Sequence, residues 1–217
     1  MNIRKAWLAA VIAGAIGFIA LGADAVVTQG AESAAGARLG PGSTLWIEGK
    51  SNMHDFESRT TTVVVKFKRD SSASAPTTPA EWETLVRGSH VQGLDVEIPV
   101  TSLRSGKAGL DKNLWQDLKA DAHPAIQFHL AKYTAREAKH DTIAISAEGA
   151  LRIAGREKQV TLHAHACRVD AGLWIDGSQE LQMTDFGIKP RTMMLGALRV
   201  KNEVVVHYHL LLIPSKD

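Results

Sequence analysis

Three groups of residues have the types and spacing that chemistry needs. His54 and Asp55, in "SNMHDFE", set an imidazole beside a carboxylate. A catalytic dyad uses the carboxylate to orient the ring, with a nucleophile or a metal on the far side. Neighbours on a strand point to opposite faces, so this spacing serves a dyad poorly, and the pair is expected to hold a strand end instead. His163 and His165 in "HAH", and His207 and His209 in "HYH", form the second group. Each pair shares one strand face, and two such strands side by side supply four imidazole nitrogens to a metal. The spacing leaves open whether the strands are neighbours, and solvent-facing or locally paired histidines are the expected state. The third is Cys167, the single cysteine, in the alternating run "VTLHAHACRV". It reads as a strand residue, since no nucleophile signature surrounds it and one thiol makes no internal disulfide. There is no G-x-S-x-G elbow, H-E-x-x-H pair or Gly-rich phosphate loop. The expectation is a protein that binds rather than catalyses, with no cofactor and no metal. A metal-binding module on the histidine strands and a lipid-modifying enzyme stand as the alternatives.

The elements that must position these residues are mostly strands. Apolar residues recur with period two: Val63, Val65 and Phe67; Leu94, Val96, Ile98 and Val100; Ile126, Phe128 and Leu130. The same holds for Ile143, Ile145, Leu151 and Ile153, with Gly149 suggesting a bend or bulge, and for Val160, Leu162, Ala164 and Ala166. Val204, Val206, Tyr208 and Leu210 close the series. Such alternation marks half-buried antiparallel strands, and their number and spacing predict an all-β barrel or sandwich. One stretch departs from it. In "SGKAGLDKNLWQDLKADAHP" Leu110, Leu114 and Leu118 recur every four residues, which predicts one main amphipathic helix ending before Pro124. "SSASAPTTPAEW" reads as a surface excursion carrying a short helix at "AEWETLV".

The remaining segments bear on location and partners. "MNIRKAWLAAVIAGAIGFIALGADA" has a basic start, an apolar core and small residues, so it reads as a signal peptide over 1–25, cleaved after Ala25. The apolar run is short for a membrane span. That predicts a periplasmic or secreted protein, although a retained anchor would give the same pattern. Residues 26–41 are rich in Ala, Gly and Ser and read as a flexible lead-in, leaving 42–217 as the folded domain. A net charge of +2 without a basic block excludes the footprint of a nucleic-acid binder. Strand edges and aromatics leave a homodimer open, and transient membrane contact is compatible with this chain.

"TDFGIKPRTMMLGALRV" concentrates Phe186, Ile188, Met193, Met194, Leu195 and Leu198 in a segment broken by Gly187, Pro190 and Gly196. These large groups need burial, either in the core or around a cavity, and methionine suits an adaptable apolar wall. An eight-stranded barrel is just wide enough for one small ligand.

Four stretches taken together resemble the YceI-like family of exported lipid-binding proteins. They are "GSTLWIEGKSNMHDFE", "VEIPVTSLRSGKAGLDKNLWQDLKADAHPAIQFHL", "GALRIAGREKQVTL" and "TDFGIKPRTMMLGALRVKNEVVVHYHLLL", and they run from about Gly42 to Ile213. The resemblance implies an extended lipocalin-like barrel whose pore takes up an isoprenoid or fatty-acyl chain, for transport or storage. Parity and the family motifs together nominate Trp46, Phe56, Leu114, Trp115, Leu118, Ile126, Phe128, Phe186, Met193 and Met194 as its lining.

Overall fold

A computed structural model of the chain describes residues 37–214. The expected signal peptide, residues 1–25, and residues 26–36 of the expected lead-in lie outside the described residues. The end of that lead-in is not a loose tether, because Ala37–Leu39 forms strand β1 against the C-terminal strand.

The strands follow the period-two runs. β2 is Thr44–Ser51, β3 Asp55–Thr60, β4 Val64–Arg69 and β5 Val91–Pro99. β6 is Ala125–Glu137, β7 Ile143–Ile153, β8 Arg156–Val169 and β9 Gly172–Gln182. The short β10, Thr192–Met193, and the long β11, Leu198–Pro214, complete the set. All pairings are antiparallel, in the order β3-β2-β11-β9-β8-β7-β6-β5-β4, with β1 and β10 on β11. Short turns fix the register. Ala154 and Gly155, both at positive φ, close the two-residue β7–β8 hairpin, as the twist of paired strands requires. A register shift falls in β6 between Leu130 and Lys132, opposite Gly149 and Glu148. The bend expected at Gly149 is thus a bulge in its partner strand.

The sheet curls until its two edges approach. β4 lies against β1, and β3 meets the segment after β5 through reciprocal backbone bonds between Arg59 and Arg104 (2.7 and 2.9 Å). The Thr60 and Ser102 hydroxyls bond beside them at 2.8 Å. No ladder joins β3 to β4, so the barrel closes with a seam.

Two helices lie at the ends, one of them a plug. α1, Pro79–Arg87, starts at a capping box: Thr78 Oγ1 accepts from Glu81 N, and the Glu81 carboxylate accepts from Thr77 N and Thr78 N. Those donors hold the Glu81 carboxyl below the usual range. The excursion is not a surface one: Trp82 (2% exposed), Leu85 and Val86 are buried, with Val86 packed on Ile143, Ala166 and Leu173. Glu83 ties the helix to Arg168 of β8 at 3.0 Å. α2, Ala108–Asp117, is the helix expected from the Leu110–Leu114–Leu118 stripe, and it ends well before Pro124. Its lead-in loop is fixed by Asp111, a buried carboxylate that accepts from Ser105 N (2.7 Å) and Ser105 Oγ (2.6 Å).

Candidate functional site

Alternation leaves the inward side chains of the barrel almost wholly apolar. Val65, Val96, Ile98, Phe128, Leu151, Leu162, Leu181 and Val206 surround an elongated cavity of about 410 Å³. That lies within the range of ligand-binding cavities. On β11 alone the lining runs from Leu198 to Leu212. At about 3.4 Å per residue this is roughly 48 Å of strand.

The two ends differ in chemistry. Under α1 the wall is made of Leu39, Phe67, Trp82, Val86, Ile175 and Leu212, all apolar. Beside α2 it includes His54, Glu57, Asn113, Asp117, Lys189 and Arg191, and among these His54 and Lys189 are exposed. Charged groups need water or partners, so this end is the mouth. Arg191 is the organising cation there. It pairs with Asp117 and donates to Asn113 Oδ1 and the Asn113 carbonyl at 3.1 Å each, pinning the 188–192 loop onto α2.

Glycines set the girth. The ring of Phe56 lies where a Cβ on Gly49 would stand, that of Phe128 against Gly149, and that of Tyr208 against Gly177. Each aromatic therefore folds over a neighbouring strand instead of filling the lumen. Tyr208 reaches furthest, donating to the carbonyl of His163 at 2.8 Å. Burial pushes the Tyr208 phenol up to about 12, and burial likewise raises Tyr133.

Of the residues nominated from sequence, Phe56, Leu114, Leu118, Ile126, Phe128 and Phe186 line this cavity together. Trp46 does not. Leu45 and Ile47 face inward, so Trp46 faces out, where it stacks on His207 at 4.9 Å, lies under Arg59 and donates to Glu48 at 3.0 Å. That hydrogen bond is the main reason the Glu48 carboxyl sits below its ordinary range. Trp115 turns from the lumen to donate to the Leu103 carbonyl at 3.1 Å, with Arg104 over its ring. The side chains of Met193 and Met194 lie outside the described residues. Leu195, expected to need burial, is fully exposed. Lys189 and Arg191 were not nominated, although two cations in an otherwise apolar loop are a signal that composition offers.

The chemical candidates have other roles. His54 ends the β2–β3 hairpin turn: its carbonyl accepts from Ser51 N (3.0 Å) and Ser51 Oγ (2.8 Å), and Asp55 starts β3 opposite Lys50. The histidine strands are not neighbours, because β9 runs between β8 and β11. His209 pairs with Asp176 of that strand and stacks on Trp174, and His207 lies 3.4 Å from Glu48. Among the described residues no group of His, Cys, Asp and Glu is arranged to hold a metal ion. Cys167 is exposed on the outer face of β8.

A curled antiparallel sheet around one apolar lumen, stoppered at one end and polar at the other, defines a lipocalin-like barrel. The chain belongs to the YceI-like family, whose domain matches residues 42–212. Solved structures share the fold. BcnA of Burkholderia cenocepacia is 17% identical with a TM-score of 0.58, over 77% of this chain and 94% of that one. A Campylobacter jejuni YCEI protein is 19% identical with a TM-score of 0.51, over 77% of this chain and 85% of that one. A polyisoprenoid binding domain from Saccharophagus degradans, implicated in plant cell wall breakdown, is 10% identical with a TM-score of 0.57, over 80% and 94%. No curated protein matches the chain.

Proposed function

We propose that the protein is an exported carrier that holds one long isoprenoid or fatty-acyl chain in its lumen, without chemistry. The observation that carries this is the asymmetry of the lining, almost wholly apolar from the α1 end through the middle, where Gln179, Tyr133 and Tyr208 are the polar exceptions, and charged only beside α2. A chain laid along such a lumen gains about 0.8 kcal/mol per buried CH₂, so it binds firmly without a salt bridge. Its polar end then sits among His54, Lys189 and Asn113. The likeness to a polyisoprenoid binding domain supports the class of chain. The N-terminal pattern, a basic start followed by an apolar core and small residues, supports export. Transport or storage between membranes is the task this fits.

Native mass spectrometry of the exported protein, followed by organic extraction and lipid identification, tests the proposal. A prenyl or acyl species near one per chain is the expected result. A protein that emerges empty and refuses added prenyl and acyl chains would overturn it.

A further inference from the structure

The described residues expose three large hydrophobic side chains: Met53 (63%), Val64 (43%) and Leu195 (110%). Val64 opens strand β4, but the other two stand together on the mouth of the lumen. Met53 is at the tip of the β2–β3 turn, between the lining residues Ser51 and His54. Leu195 is in the turn between β10 and β11, three residues before lining residue Leu198. Asn52 locks the two tips to each other: its side chain donates to the Ala197 carbonyl (2.8 Å), and it exchanges bonds with the Arg199 backbone (3.1 and 2.8 Å). The tips are therefore tied to each other.

Leu195 is also held in the left-handed region (φ 55°, ψ 29°), followed by Gly196 at φ 98°. Bulky residues seldom adopt that conformation, and here it turns the leucine into solvent. Water alone gives no reason to spend strain on exposing a leucine. Two basic residues without an ion-pair partner among the described residues flank the tips, Arg199 after the β10–β11 turn and Lys189 at the rim, whereas Lys50 faces Asp55. The acidic groups nearby are answered, Glu57 by Arg59 and Asp117 by Arg191, while Asp55 stands opposite Lys50. Isolated projecting apolar groups in a basic surround suit a lipid interface better than a protein partner, which needs a contiguous buried patch.

We propose that Met53 and Leu195 insert together into the surface of an anionic phospholipid bilayer, setting the mouth against lipid while a chain enters or leaves. The inference rests on the carrier reading of the lumen, and its test separates the two. In a Cys167→Ser background of the exported protein, Leu195→Cys carries an environment-sensitive fluorophore, and Lys139→Cys at the opposite end carries the same label as a control. Vesicles of phosphatidylglycerol and phosphatidylcholine are added to each. The expected result is blue-shifted, several-fold brighter emission at position 195 alone, reduced about tenfold in apparent affinity by Met53→Ser, since burying one such side chain is worth that much. The response weakens with pure phosphatidylcholine or high salt. No shift at 195, or equal shifts at 195 and 139, overturns the proposal. So does a shift without vesicles that follows protein concentration, which assigns the tips to a second copy. Lipid found in the lumen together with a silent tip sinks this inference and leaves the carrier reading standing. An empty lumen beneath an inserting tip does the reverse.

Discussion

The phenol of Tyr208 crosses strand β9 to donate to the carbonyl of His163 on β8, at 2.8 Å. The path exists because the residue beneath the ring is Gly177, where a Cβ would stand 2.3 Å from the phenol oxygen and 2.5 Å from the His163 carbonyl. One missing side chain thus decides whether an aromatic ring lies in the wall or in the lumen.

Gly177→Ala should therefore cost about 1–3 kcal/mol, the usual range for overpacking, and swing the ring inward. Urea denaturation measures the first effect, and the mass of co-purifying lipid measures the second. A variant as stable as wild type and with unchanged cargo would show that the wall yields elsewhere.

Alkali should find both tyrosines late. The chain has two, and burial raises each, Tyr208 to about 12. In the unfolded chain a phenol ionises near pH 10, so the unfolded state loses its proton first. The stability tied to this group is complete below about pH 10 and declines as pH rises towards the folded value. Ultraviolet difference titration should show less phenolate in the folded protein than in the unfolded one at the pH where the unfolded protein is half ionised, with Tyr208 still protonated there. Phenolate forming at the same pH in both states would contradict the burial argument.

Trp82 plugs the α1 end against Phe67, and its indole Nε1–H is buried with no hydrogen-bond partner among the described residues. Removing the ring should cost about 3–5 kcal/mol in Trp82→Ala. Trp82→Phe keeps most of the apolar contact and deletes the orphan donor, so its cost should be far smaller. Equal losses in the two variants, measured by thermal and urea unfolding, would mean that the indole nitrogen has a partner after all.

Acid should loosen the lead-in to α2. The Ser105 hydroxyl and backbone N–H hold the Asp111 carboxyl below its usual range, with Arg104 adding to the effect. A depressed carboxyl stabilises the fold above its unfolded value, near pH 4, and loses that contribution as pH falls through the folded one. The stability gap between wild type and Asp111→Asn should then be present at neutral pH and shrink in acid. A gap that is constant down to pH about 3 would refute the assignment.

Much of this was legible in the sequence, because period-two alternation reports which side of a wall a residue faces. The lining positions Phe128, Leu162 and Val206 follow from it directly. Trp46 shows what happens when a motif overrides parity: Leu45 and Ile47 already claim the inner face, and Glu48 two residues on marks the outer one. The helix at Pro79–Arg87 was visible, but its destination was not, since α1 closes on β8 and β9, which lie far along the chain. Tyr208 over Gly177 needed the strand order, which no local pattern contains. Leu195 defied the ordinary rule that leucine seeks burial, and a residue that breaks a rule can be recognised only once the rest are placed.

The barrel's seam sets which dimension of the container can give. Around the rest of the wall, widening would mean breaking a ladder bond by bond, whereas β3 is held across the gap by the Arg59–Arg104 backbone pair and the Thr60–Ser102 hydroxyls. Depth is fixed by a helix bolted through Trp82 and by the Glu83–Arg168 ion pair. The wall can therefore give in breadth at the seam, while the α1 end sets a fixed floor beneath an open mouth.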